Sequence, residues 1–89
     1  MIFDWNLAKS AKNEAERGFG FDFAARIFLG RVLVAPSYPG SDGEARFLAL
    51  GEIEGIIYAV VYTDRDDVRW IISARRASRR SVDNGTHDA

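Results

Sequence analysis

The chain has no cysteine among its 89 residues and a single histidine, His87, close to its end. The first absence excludes a disulfide framework and a thiolate zinc site, and suits a reducing, cytoplasmic location. The second leaves one imidazole at most for a metal, and a Ser-His-Asp triad would have to recruit it from the tail. Only two prolines occur, Pro36 and Pro39, both in one loop. No apolar run approaches the roughly 20 residues of a membrane span, and Met-Ile-Phe-Asp-Trp is not a signal-peptide start. A Walker loop is missing, and the glycines fit no dinucleotide fingerprint. No cofactor, no metal and no membrane contact are therefore expected.

What is present points to one small domain over 1–82 and a polar, turn-rich tail over 83–89. Two Trp, six Phe and three Tyr supply most of the core area such a short chain needs. The formal charge is only -1, but it is unevenly spread. Acids cluster at Glu14/Glu16, Glu52/Glu54 and Asp64/Asp66/Asp67, whereas Val68 to Val82 holds five arginines and no acid. A bipolar domain of this kind can take an anion on one side and a basic partner on the other.

The local signals give an α+β fold with the order α-α-β-β-β-β and a short C-terminal helix. Phe3 and Trp5 alternate with polar neighbours as an extended lead-in. Asn6 is a good cap for a helix over 7–17, with Leu7, Ala11 and Ala15 on its apolar stripe and Gly18 as its stop. Asp22 is placed to cap a second helix over 23–29, ended by Gly30. Strands follow at 31–35, stopped by Pro36, then at 44–53, 56–63 and 68–74. Glu54-Gly55 reads as a two-residue hairpin turn. The third strand is apolar nearly throughout and so central. A third helix is expected from about Arg76 to Val82. The result is a four-stranded, mostly antiparallel sheet with the helices on one face.

Alternation, if the last strand is regular, puts Arg69, Ile71, Ser73 and Arg75 on one face. On the second strand Glu44, Arg46, Leu48 and Leu50 share a face. Trp5 and Trp70 both suit the core, and Glu44 with Arg46 suits a plain surface pair.

An ordered set of residues resembles the BrnT toxin family. The pattern of that family runs roughly F-x-W-D-x-x-K-x-x-x-N-x-x-K-H-G, then F-x-x-A, E-x-R and R-I-I-S-A-R-x-A. Here it meets Phe3-Asp4-Trp5, Lys9, Asn13, Phe21, Ala24, Glu44-Ala45-Arg46 and Ile72-Ser73-Ala74-Arg75-Arg76-Ala77. Glu16-Arg17-Gly18 stands where the family has Lys-His-Gly, and Ser81-Val82 stands where it usually continues with an acid and a longer basic helix. The resemblance implies a RelE-like ribonuclease toxin of a type II toxin–antitoxin system. Its partner would be a BrnA-type ribbon-helix-helix antitoxin forming a hetero-oligomer with it, and operator DNA would be reached only through that antitoxin.

RNA cleavage by its own 2′-hydroxyl needs in-line geometry, stabilisation of the phosphorane charge and proton transfer. Arginine suits the second task, being planar, always charged and bidentate toward phosphate oxygens. Arg46, Arg69 and Arg75 are the expected phosphate clamps, converging on one pocket. Arg76, Arg79 and Arg80 are expected along the RNA backbone. Arginine cannot act as a base, so Glu44, Lys12 or the Tyr62 hydroxyl would take the proton. Trp5 is a candidate for stacking on a base. The departures at Arg17 and Ser81 leave an alternative: a catalytically weakened homologue that binds antitoxin and tunes operator binding.

Overall fold

The computed structural model describes residues 1–77. A strand, β1 (Ile2–Trp5), leads into α1 (Leu7–Arg17) and a short helical turn, α2 (Phe21–Ala24), which tightens into a 3-10 segment (Ala25–Leu29). Four strands follow: β2 (Val32–Pro36), β3 (Phe47–Ile53), β4 (Ile56–Arg65) and β5 (Val68–Arg76). Together they form one five-stranded sheet in the order β1-β5-β4-β3-β2. β4 is central, as its apolar sequence requires. The pairs β2–β3, β3–β4 and β4–β5 are antiparallel.

Four expectations are corrected. The sheet has five strands and is mixed, because the aromatic lead-in is itself a strand pairing parallel to β5, with Ile2 opposite Val68. The second helix starts at Phe21 rather than Phe23, since the Phe21 amide donates to Ser10 Oγ at 2.9 Å and its ring is buried. Asp22 thus lies in the first turn and is not the cap. Strand β3 begins at Phe47, not Glu44. Finally, β5 runs on to Arg76 and the Ala77 amide still bonds the Ile57 carbonyl, so no helix begins at Arg76. The rest of that expected helix, Arg79, Arg80 and the 83–89 tail lie outside the described residues.

The caps and turns follow the sequence. Asn6 accepts a hydrogen bond from the Lys9 amide, and Gly18 closes α1 with φ +88°. Glu54 and Gly55 both take positive φ, as a tight hairpin turn matched to strand twist demands.

The helical layer covers one face of the sheet. Phe19, Phe21, Ala24 and Ile27 pack there on Ala49, Tyr58, Val60, Tyr62, Ile71 and Ala74. Gly51 permits the closest approach: a Cβ on it would lie 2.7 Å from Ile27 Cβ.

Helix α1 docks by polar bonds and not by its apolar stripe. Leu7 is 80% exposed, and Ala11 and Ala15 also face outward. Ser10 and Asn13 are the buried positions. Asn13 Nδ2 donates to the Phe19 carbonyl at 2.9 Å, and Arg17 Nη1 donates to both Asn13 Oδ1 and the Ala74 carbonyl. Without these bonds the buried Asn13 amide and the Phe19 carbonyl would be left unsatisfied. Asn13→Ala is therefore expected to lower stability by about 1–3 kcal/mol, and Leu7→Lys to change it by no more than about 0.5 kcal/mol. Urea unfolding midpoints of the two variants check this.

Candidate functional site

The direction of the last-third arginines is set by one irregularity in β5. Val61 pairs with Ser73, but Tyr62 pairs with Ile71, so Ile72 is an extra residue in the ladder. Such a bulge reverses the facing of every side chain beyond it. Before it, Arg69 and Ile71 point to the helical layer. After it, Ala74 is in the core and Arg76 lines a hollow with Glu14, Phe19, Phe23 and Tyr58 on that same side. Ser73 and Arg75 point to the other face. The expected sharing of one face by Arg69 and Arg75 is thus corrected by the bulge.

Arg69 is committed on the helical side. Its Nε and Nη2 donate to the two carboxylate oxygens of Asp64 at 2.8 and 3.0 Å. Its guanidinium lies 4.3 Å from the Tyr62 ring centroid and 4.9 Å from that of Phe28. The bond to Asp64 raises the Arg69 pKa above its ordinary value. Burial raises that of the Tyr62 hydroxyl, with the Arg69 charge opposing and Asp64 adding to it. The Nε–Nη2 edge that would grip a phosphate is therefore directed into the protein's own cluster.

The opposite face has an apolar floor and a cationic rim. Strand alternation places Leu48, Leu50, Val61, Trp70 and Ser73 on it, all partly buried. At one end Arg65 lies over Trp70, 5.3 Å from the ring centroid, and its Nε and Nη2 grip Glu44 at 2.6 and 3.1 Å. The Thr63 hydroxyl donates to the Ala45 carbonyl, which fixes the segment carrying Glu44 and Arg46. Arg46 directly precedes Phe47, whose ring packs on Tyr62 on the helical side, so its own side chain falls on the open side. At the other end Arg75 stands opposite Ala59. From Ala59 to Thr63 is about 13 Å along β4. Two arginine side chains meet over that span only by bending toward each other. In this structure Arg46 turns under the loop at Gly40, and Arg75 Nη1 donates to the Arg76 carbonyl. The three expected clamps are therefore distributed as two on the open face, apart, and one on the helical face.

The remaining expected site residues fall elsewhere. Trp5 packs against the core. Lys12 is 74% exposed on α1, with a loose 3.8 Å ion pair to Glu16. It lines a 240 Å³ groove with Lys9, Asn13, Arg17, Ile72 and Ser73, which reaches the open face at Ser73. Both oxygens of Glu44 are occupied by Arg65. Sequence reading missed Arg65 and Trp70 as members of the face. Their positions at i and i+5 across the Asp66-Asp67 turn were the available signal, since that turn brings them onto neighbouring strands. Among the described residues no three His, Asp or Glu side chains gather as a metal site needs, and no helix is long and apolar enough to cross a membrane.

Comparison with known proteins gives the family of the chain. The model of the ribonuclease toxin BrnT, of the type II toxin–antitoxin system, matches residues 5–81. The chain belongs to the BrnT family. An RNA substrate and an antitoxin partner come with membership of that family. No curated protein matches the chain. The BrnT match spans α1, the whole open face and the Ile-Ser-Ala-Arg-Arg-Ala stretch that contains the bulge. Arg17, in the matched span, serves as the tether between α1 and β5.

Proposed function

We propose that the chain is an endoribonuclease that cuts RNA on the open face of its sheet, by attack of the 2′-hydroxyl on the adjacent phosphodiester and without a metal. The observation that carries this reading is the Ile72 bulge. It turns Ser73 and Arg75 onto the face that also bears Arg46, the Arg65–Glu44 pair and Trp70. Arg75 and Arg46 take the charge that develops on the phosphorane. Trp70 offers a ring on which a base can stack. A phosphate reaching Arg65 competes with Glu44 for the same guanidinium fork, and the released carboxylate is then the proton acceptor. Lys12, in the adjoining groove, is the second candidate for proton transfer. Arg69 acts from the helical side by holding Tyr62 and the end of β5 in place. Arg79 and Arg80 extend the basic run for the RNA backbone. A BrnA-type antitoxin covers the same face, carries the operator-binding function, and keeps the toxin silent in the cytoplasm.

The purified chain, free of antitoxin and with a chelator present, is expected to cut RNA to 2′,3′-cyclic phosphate and 5′-hydroxyl ends. RNA that is bound yet remains whole removes the enzymatic reading.

A second reading is favoured by the paired Glu44, both of whose carboxylate oxygens are held by Arg65. In it the chain is a weakened toxin that binds antitoxin and tunes operator occupancy. Growth arrest on expression without antitoxin rules it out.

A further inference from the structure

We propose that residues 37–43 form a strap that parks Arg46 away from the RNA path, and that a phosphodiester of single-stranded RNA is the ligand that releases it. The inference rests on the ribonuclease reading of the open face, but its mechanics do not.

The strap is closed by few bonds. The Ser37 amide donates to the Arg46 carbonyl, the Gly40 amide to the Glu44 carbonyl, and the Gly43 amide to the Gly40 carbonyl, each at 2.9 Å. Asp42 Oδ1 accepts from the Glu44 amide. Beneath this turn lies the Arg46 guanidinium. A Cβ on Gly40 would sit 3.0 Å from Arg46 Nη2 and 3.2 Å from Cζ, so the bare backbone of glycine permits the approach. In this position Arg46 Nε is buried and has no hydrogen-bond partner. A donor on an ionised group, withdrawn from water and given no acceptor, penalises the state that holds it. The closed strap is therefore under stress at one identifiable atom.

Opening the strap gives Nε an acceptor and frees the fork. A phosphodiester presents two oxygens that match Nε and Nη2 together, which a water molecule does not. The freed side chain lies on the same face as Arg75 and can bend toward it. A ligand that binds only the open form binds with an apparent affinity reduced by the open fraction, and binding shifts the population toward that form. RNA thus completes its own site, and the empty toxin keeps one of its two expected phosphate clamps on that face withdrawn.

Amide hydrogen exchange at Gly40 and Gly43 reads the strap directly. Arg46→Met keeps the length of the stem and removes the stranded donor. In the free chain it is expected to slow exchange at both amides by about tenfold, equivalent to about 1.4 kcal/mol. Gly40→Ala presses on the guanidinium and equally on Asp42 Oδ1, 3.0 Å from the added Cβ, and is expected to speed exchange several-fold. With an uncleavable 2′-O-methyl RNA oligonucleotide, exchange at both amides of the wild-type chain should rise, and Gly40→Ala should bind it several-fold more tightly. Unchanged or faster exchange in Arg46→Met overturns the stressed strap. RNA binding that leaves both amides unaltered overturns RNA as the releasing ligand. An oligonucleotide that does not bind at all, while both free-chain changes appear, supports the strap and overturns the ribonuclease reading.

Discussion

Arg75→Ala is expected to slow RNA cleavage by about 10²–10³-fold, the usual loss when one pre-positioned donor to a developing oxyanion is removed. Arg75 is exposed on the open face, on a strand position whose partner across the ladder is Ala59. Its removal leaves no cavity, so the unfolding midpoint should move by no more than a surface substitution does, within about 0.5 kcal/mol. Arg75→Lys should recover only part of the rate. A lysine restores the point charge but not the two-pronged grip on phosphate oxygens. Single-turnover cleavage of a short RNA, with thermal melts of the same preparations, separates the two quantities. A variant that melts with the wild type and cuts as fast would remove Arg75 from the chemistry.

Arg69→Ala is expected to give the reverse pattern. Its side chain is 17% exposed and holds Asp64 through two bonds while lying against Phe28 and Tyr62. Truncation strands the Asp64 carboxylate, itself 42% exposed and so partly rescued by water. It also removes two cation–π contacts, each worth roughly 0.5–2 kcal/mol. A total loss of about 1–3 kcal/mol follows once solvent screening of Asp64 is allowed for. For a domain of this size that lowers the melting midpoint by about 4–8 °C per kcal/mol. RNA affinity, measured well below the melting transition, should stay near the wild-type value. Two arginines six positions apart on one strand thus differ in role because one extra residue lies between them.

That extra residue explains where sequence reading stops. Asn6, Gly18 and the Glu54-Gly55 turn were legible because each is a local solution to a local need: a side-chain acceptor for an orphan amide, or a backbone that tolerates positive φ. The antiparallel strands β2, β3 and β4 were legible from β-branched and aromatic runs between turn residues. The bulge was not. Trp70-Ile71-Ile72-Ser73-Ala74 contains no glycine, proline or break in polarity to mark it, and the shift is set by how β5 meets β4. The parallel pairing of β1 was hidden for a related reason, since its partner lies at the far end of the chain. The docking of α1 was misread because apolar periodicity is the ordinary guide to a buried face. Here Asn13 and Arg17 bond each other and the carbonyls of Phe19 and Ala74, Ser10 accepts from the Phe21 amide, and Leu7 is left outside. The candidate site inherits both effects: Arg46, Glu44 and Arg75 were proposed from residue type and motif, whereas their separation from Arg69 and the placing of Arg65 and Trp70 on the open face required the register.

The account turns on which face of the sheet meets RNA. The most direct test is an NMR titration of the wild-type chain with a 2′-O-methyl RNA oligonucleotide, following backbone amides, arginine Nε–H groups and the Trp70 indole N–H. Perturbations centred on Trp70, Ser73, Arg75, Arg65 and Arg46, with Phe28 and Arg69 unmoved, are the predicted result. Perturbations centred on Phe28, Tyr62 and Arg69, with Ser73 and Arg75 unmoved, would contradict it.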